Sequence, residues 1–396
     1  MTHHLLVHKH KPLYLPQLSL SSLSNPPAFD VTSSHVPLAY KPLSRHGRHI
    51  SGFPTLIDFY RKQDVFLTAF SLFVMPYTKV DPAIIEALGL DPACSSIASH
   101  GGSGFASTFK ISTTVDGKPV NYFVKTGAGK EAEIMFRGEH ASLNAIADTV
   151  PNFCPHSHAH GALANREGHF FLVTDFLDLG SSAPGGTGKT LAAKLAQLHT
   201  TPAPIPEGHD KPMFGFPVPT CCGSTEQDNS WKESWADFYA ENRLRHIKRE
   251  AVRNHGSDPE FERLIERVAS EVVPRLINKV KDIKPVVIHG DLWSGNHSRG
   301  QIAGKGGCEE VVYDPSVVYG HSEYELGMMN MFGGFTDHFW REYERLVPPA
   351  EPADEWEYRL RLYELYHHLN HYAMFGGGYR DGATSMMKGL IHRFGE

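Results

Sequence analysis

The stretch VVIHGDLWSGN, residues 286–296, decides how the rest of the chain is read. Three β-branched residues, Val286, Val287 and Ile288, form a short apolar strand that runs into His289-Gly290-Asp291, and Asn296 follows one short loop later. A carboxylate at a strand end can act as general base toward a hydroxyl. The amide oxygen of Asn296 is a neutral ligand for a hard cation. A second apolar run, EEVVYDP (309–315), carries Asp314 to another strand end. Asp and Asn oxygens converging from two strand ends suit Mg²⁺, which takes few carboxylates and leaves room for substrate phosphates. An aspartate, an asparagine in the following loop and a second aspartate after the next strand have the spacing of phosphoryl-transfer machinery.

That reading requires a phosphate-covering loop, a lysine and a glutamate upstream, and all three occur in order. HGGSGFASTFKI (100–111) is a Gly-rich turn between two expected strands. Its Gly101, Gly102, Ser103 and Gly104 would let backbone amides approach phosphate oxygens. Lys125 ends the alternating strand NYFVK and can point inward at the α- and β-phosphates; Glu139 lies on the next helix, placed to hold it. Singly, a Gly-rich stretch is more often a plain turn and a strand lysine is usually solvated. The weight rests on the order Lys125, Glu139, Asp291, Asn296, Asp314.

Two rival motifs are set aside. APGGTGKT (183–190) fits a relaxed phosphate-loop pattern around Lys189, but LDLGSS separates it from the preceding strand and no strand with a terminal Asp follows closely. It reads as a linker, with Thr187 or Thr190 capping the helix LAAKLAQLH. In CPHSHAH (154–160), Cys154, His156, His158 and His160 alternate, yet the four-ligand spacing of a zinc site is absent, so a surface loop is expected. His367 and His371, one helical turn apart, read as packing or surface residues.

The pattern of strands and helices divides the chain. DPAIIEALGL (81–90) predicts a short helix with Asp81 as N-cap and Pro82 at its first position. FKISTTV (109–115) and NYFVKT (121–126) predict a hairpin around Asp116-Gly117, with a loop a few residues longer than the tightest type. AEIMFRGEHASLNAIA (132–147) predicts a helix and HFFLVTDFL (169–177) a strand. Beyond these, helices are expected over 191–199, 235–252, 261–280 with a bend at Pro274, and 355–373. The strand-rich early part and helix-rich later part predict an α+β, two-lobed chain: an extension over 1–79, a small lobe over 80–177 and a larger one over 178–396.

Composition narrows the partners. The chain has 396 residues, with Lys plus Arg 38 against Asp plus Glu 44, a net charge of -6. Neither nucleic acid nor an anionic membrane is an expected partner at that balance, and a monomer is expected. No apolar run approaches the ~20 residues of a membrane helix. Five cysteines without a CxxC fit a reducing compartment, and the cytoplasm is the expected location. Residues 1–57 carry a single acid, Asp30, amid many Ser, Pro and His. They read as a poorly ordered extension, with a mitochondrial presequence or an aberrant gene-derived extension as the alternatives.

At this point a resemblance enters. HGDLWSGN (289–296), DPSVVYGHSEYELGMMNMFGGF (314–335) and HHLNHYAMFGGGY (367–379) resemble the fructosamine/ketosamine 3-kinase family; FVKT (123–126) and MFRGEHASLNAI (135–146) are similar to its lysine strand and glutamate helix. The resemblance spans roughly residues 80–396. It implies a protein-kinase-like fold, a five-stranded small lobe on a helical large lobe, and ATP-dependent phosphorylation of the 3-hydroxyl of a ketosamine, free or on a glycated lysine. It implies Asp291 as base, Asn296 and Asp314 as Mg²⁺ ligands, Lys125 as phosphate clamp with Glu139 as its partner, and Asp175, Phe176 and Leu177 as the hinge that reads adenine. Trp293, His321 and Glu323 become candidates for sugar or loop positioning. The chain also departs from the pattern. Its Gly-rich loop lacks the cysteine of many members, so no disulfide switch is expected there, and Ser107 stands at the third glycine position. Pro-Ser, not Phe-Gly, follows Asp314. The alternatives are another small-molecule kinase, of the aminoglycoside or choline type, and a nucleotide-binding pseudokinase.

Overall fold

The structure is a computed structural model that describes residues 79–102 and 106–395. The expectations for the N-terminal extension, and for Ser103 and Gly104, fall outside these residues. α1 (Pro82–Leu88) starts as its sequence requires: the Asp81 carboxylate accepts the Ala83 N–H at 2.9 Å. The same carboxylate accepts the N–H groups of Ala164 and Asn165, tying the helix to the sheet beside it.

That sheet has five antiparallel strands, β1 (Ser96–Ser99), β2 (Ser107–Val115), β3 (Lys118–Ala128), β4 (Ser157–Ala162) and β5 (His169–Asp175), in the order β1-β2-β3-β5-β4. β2 and β3 pair as far as Val115 and Lys118. The connection is therefore the tight two-residue turn, with Asp116 and Gly117 both at positive φ, and not the longer loop expected from sequence. β4 corrects the reading of CPHSHAH as a surface loop. Ser157, Ala159 and Gly161 face inward along this edge strand while His158 and His160 project outward, so the histidines masked a period-2 pattern. α2 (Gly129–Thr149) packs on the sheet with Phe136, Leu143 and Ile146 buried.

The segment after β5 leaves this sheet at once. β6 (Leu177–Asp178) pairs with β10 (His297–Ile302), which pairs with β11 (Glu309–Val312). β9 (Val286–Ile288) pairs with β12 (Val318–Gly320), and β7 (Thr220–Cys222) with β8 (Thr225–Gln227). The remaining polypeptide is helical. α3 (Leu191–Thr200) is capped by Thr190, whose hydroxyl accepts the Ala193 N–H. α4 (Trp235–Phe238) passes through a π-helical turn, Tyr239–Arg245, into α5 (His246–His255). α6 (Pro259–Arg267) passes through a second, Val268–Val272, into α7 (Val273–Ile277). The expected irregularity at Pro274 thus takes the form of a wider turn placed just before the residue that lacks an N–H. α8 (Glu323–Phe332), α9 (Asp337–Leu346), α10 (Trp356–Phe375) and α11 (Tyr379–Phe394) complete the lobe. Its largest core joins α4 to α7 with α10 and α11 around the inner faces of β9 and β12. No helix among the described residues is long and apolar enough to cross a membrane.

Candidate active site

The apolar strands β9 and β11 deliver the two aspartates. Val286, Val287 and Ile288 are buried, as are Val311 and Val312, so burial fixes both strands, and backbone bonds from Ser316 to His289 and from Tyr313 to Asn296 join the segments that follow them. The turn between β9 and Asp291 is tightly specified. Gly290 has φ +80°, and a Cβ there would lie 2.1 Å from the Ser316 carbonyl oxygen, so only glycine fits. The buried His289 accepts the Asp291 N–H at Nδ1 and donates from Nε2 to the Tyr313 carbonyl. The Ser316 N–H donates to the His289 carbonyl at 2.8 Å. These bonds hold the Asp291 and Asp314 segments in one register.

Asn296 closes the loop onto Asp291. Its Nδ2 donates to the Asp291 carbonyl at 2.8 Å and reaches Oδ2 at 3.3 Å. Asp314 has φ +61°, a left-handed conformation that aspartate tolerates better than most residues. From below, the Cys222 thiol donates to Asp291 Oδ1 at 3.7 Å. Burial, then the adjacent Asp291 carboxylate, hold that thiol protonated by raising its pKa well above the ordinary thiol value.

Lys125, on the central strand β3, is 5% exposed. Its Nζ lies 2.5 Å from Glu139 Oε1 and 2.7 Å from Asp314 Oδ1. Lys125, Glu139 and Asp314 therefore meet in one cleft, lined also by His100, Gly102, Phe123, Thr174, Asp175, Leu177 and Tyr313. Gly101, at φ +73°, lies beside Gly102 at the cleft rim. At the exit of β5, the Asp175 carboxylate accepts from His158 Nε2 at 2.9 Å and from the His156 N–H at 3.1 Å. Burial pushes its pKa up, but these hydrogen bonds outweigh it and hold it below the usual carboxylate range. The Phe176 ring packs edge-on to His100 at 5.1 Å, with Lys110 Nζ 4.3 Å above it.

Other sequence candidates are placed elsewhere. Trp293 packs on Phe332 with ring centroids 5.7 Å apart, and Phe332 in turn packs on His371. His321 and Glu323 require correction as sugar contacts: both are buried inside the large lobe. His321 Nδ1 pairs with the Tyr363 hydroxyl, and Glu323 holds Arg359 through two hydrogen bonds and accepts the Ala350 N–H. β12 carries the chain away from the cleft before it reaches them. His367 and His371 are buried packing residues. Lys189 is exposed and donates to Gln197, while Thr187 bonds Glu309, so this loop fastens the start of the large lobe to β11.

Glu325 was not singled out from sequence. It is 1% exposed, and its two oxygens accept the N–H groups of His289 at 2.5 Å and Gly290 at 3.0 Å. One buried carboxylate thus anchors the backbone that presents Asp291. The available signal was an acid set directly before the largely apolar run LGMMNMF (326–332).

A five-stranded antiparallel lobe over a helical lobe, with a lysine, a glutamate and Asp314 lining one cleft and Asp291 on the turn bonded beside Asp314, defines a phosphotransferase of the protein-kinase-like fold. A Thermobifida fusca protein solved by crystallography under the fructosamine-3-kinase name superposes with TM-score 0.61 and 25% identity, covering 79% of this chain and 98% of its own. The sequence profile of the fructosamine kinase family matches residues 82–393, and the chain belongs to that family. Among its relatives, the mouse ketosamine-3-kinase is 33% identical over 75% of this chain and 96% of its own length. The Arabidopsis thaliana chloroplastic protein-ribulosamine 3-kinase is 36% identical over 67% of this chain and 75% of its own length.

Proposed function

We propose that the chain is an ATP- and Mg²⁺-dependent ketosamine 3-kinase that phosphorylates the sugar 3-hydroxyl of fructosamines or ribulosamines, a step in removing sugar from glycated amines. The observation that carries this reading is the double pairing of Lys125 with Glu139 and Asp314 across the cleft. In this family context, the three groups mark where a nucleotide triphosphate would lie. The boundaries proposed are a nucleotide-binding lobe over 80–177 and a catalytic, acceptor-binding lobe over 178–396.

The donor atoms suit the cation. Asp314 and Asn296 present a carboxylate and an amide oxygen, the hard ligands Mg²⁺ takes alongside phosphates. Asn296 uses its Nδ2 on Asp291, which leaves Oδ1 as its coordinating atom. The chemistry that bound Mg²⁺ supplies is neutralisation of charge on the phosphate oxygens of the nucleotide. Lys125 adds a fixed positive charge at the same phosphates, held in place by Glu139. Backbone amides of Gly101, Gly102, Ser103 and Gly104 would cover them, and the backbone of Asp175–Leu177 would read the base. Asp291 accepts the proton of the attacking sugar hydroxyl, or orients that hydroxyl in line with the γ-phosphate. Asn296 and the anchored turn behind Asp291 fix the direction from which it acts. Transfer of this kind depends on positioning and charge more than on covalent help from the protein. Trp293, two residues beyond Asp291, offers an apolar ring for the sugar C–H face.

The test is ATP consumption by the purified protein with ribulosyl-lysine and fructosyl-lysine, against an aminoglycoside and choline. Phosphorus NMR should show the new ester on the sugar 3-oxygen. Turnover with the aminoglycoside or choline but neither ketosamine would replace this acceptor assignment. Nucleotide binding without any acceptor-dependent ADP release would replace it with a pseudokinase.

A further inference from the structure

We infer that Gly138 is a positioning residue for the Lys125–Glu139 pair, acting by seating α2 directly on the β7 backbone of the large lobe; this rests on the kinase reading above.

A glycine inside a helix costs roughly 1 kcal/mol relative to alanine. Gly138 nevertheless sits in the middle of the 21-residue α2, next to Glu139. The reason is contact. A Cβ at this position would lie 2.6 Å from the Pro219 carbonyl oxygen and 3.0 Å from Thr220 Cα. Both are backbone atoms, so no side-chain rotation relieves the clash. One turn further along the same helix face, the buried Ser142 hydroxyl accepts the Val317 N–H at 3.1 Å. α2 belongs to the small lobe by its packing on the sheet, yet these two contacts fix it to the large lobe.

The seat is itself part of the site. The Thr220 hydroxyl donates to Gln227 Oε1 at 3.1 Å and reaches the Val317 carbonyl at 3.4 Å, and Gln227 Oε1 also accepts from Ser316. Two residues along β7, Cys222 meets Asp291. One short strand thus touches the helix that carries Glu139, the segment following Asp314 and the carboxylate of Asp291. A wedge between α2 and β7 displaces α2, and with it Glu139 from the position in which it meets Lys125. It therefore acts on the nucleotide side of the reaction through that pair.

Gly138→Ala and Gly138→Val, each alone and combined with Glu139→Gln, test this in the full-length protein. The readouts are Kd for a fluorescent ATP analogue with Mg²⁺, KM for ATP and for ribulosyl-lysine, and melting temperature. Nucleotide Kd and KM for ATP should rise several-fold in Gly138→Ala and about tenfold or more in Gly138→Val, with KM for the acceptor unchanged within twofold. In the Glu139→Gln background, adding Gly138→Ala should change nucleotide affinity less than twofold, because the pair it positions is already broken. An equal loss in both backgrounds would make Gly138 a general packing residue and overturn the inference. So would unchanged or improved nucleotide affinity in Gly138→Ala, the result expected from helix propensity alone. If Gly138→Val fails to fold, Gly138→Ala carries the test. Nucleotide binding needs no acceptor, so a failure of the ketosamine assignment leaves this experiment readable.

Discussion

Glu325→Gln should disable the enzyme without touching any group proposed to contact nucleotide or acceptor. The Glu325 carboxylate receives two backbone N–H groups, from His289 and Gly290, at 2.5 and 3.0 Å, and His199 Nε2 lies 3.5 Å from Oε2. Hydrogen bonds to a buried charged acceptor are worth about 1.5–3 kcal/mol each. Glutamine keeps the shape but offers a single oxygen, and its NH₂ faces the second N–H. One bond loses its charge assistance, and the other becomes a buried unsatisfied donor costing about 1–3 kcal/mol. The sum is roughly 3–5 kcal/mol, against a total stability on the order of 5–15 kcal/mol. The variant should fold, with a melting temperature lower by roughly 10 °C. Its remaining deficit appears in turnover. A displacement of about 1 Å in a catalytic turn can lower rate ~100-fold. The assay is kcat at 25 °C, well below melting, with nucleotide Kd measured in parallel. Glu325→Asp, one methylene shorter, should reach one N–H and fall between the two. The reasoning fails if Glu325→Gln melts within about 2 °C of the parent with unchanged kcat, or if nucleotide affinity falls as far as kcat.

Asp291→Asn should abolish nearly all turnover while leaving nucleotide Kd within about threefold; retained turnover removes Asp291 as base. Lys125→Met should raise KM for ATP strongly and destabilise the fold, since Glu139 and Asp314 lose a buried cation and are left as adjacent carboxylates; an ATP KM equal to wild type would count against the clamp. Burial lowers the pKa of His321 to about 4 and that of His371 to about 4. The unfolded chain binds protons on both below pH ~6.5 while the folded chain does not, so stability is full above that pH and falls as pH drops toward 4. Each contributes a slope approaching about 1.4 kcal/mol per pH unit in that window. Denaturant titrations from pH 7.5 to 4.5 should show it in the wild type and a shallower slope in His321→Gln; a variant slope equal to that of wild type would refute the assignment. Hydrogen exchange at Gly290 and Ser316 should be slow in the nucleotide-free protein and change little on adding Mg·ATP; large new protection there would mean the site assembles only on binding.

The parts of the candidate site carried by regular elements were readable in advance. β9 and β11 are short apolar runs followed by Asp291 and Asp314, and Glu139 lies midway along the helix expected over 132–147. What escaped was set by tertiary contact. β4 was hidden because its outward residues are histidines, which read as neither core nor ordinary surface. His321 and Glu323 became candidates for sugar or loop positioning only through the family resemblance. As sugar contacts they do not fit, since both are buried in the large lobe, where Tyr363 and Arg359 receive them. Glu325 and Gly138 act on or through backbone atoms of distant segments, and no local pattern announces such partners. The two π-helical turns likewise answer to packing, with only Pro274 as a visible cause.

These hidden contacts bear on how the site is held ready. In protein kinases, two parts commonly move to switch activity: the helix bearing the glutamate and the loop after the second aspartate. Here both are fastened by the chain itself. Only Pro315, Ser316 and Val317 separate Asp314 from β12. Within that interval Ser316 bonds the His289 carbonyl and the Gln227 side chain, and Val317 bonds Ser142 on α2. The short segment leaves no length for an ordering loop, and α2 cannot swing without leaving β7 and Ser142 without its partner. Lys125 already meets Glu139 and Asp314. A small-molecule kinase that must act whenever its acceptor arises gains nothing from a gated site. The packing of Gly138, Ser142 and Glu325 is what makes the ungated arrangement stable, so substitutions there should impair the enzyme without converting it into a switchable one.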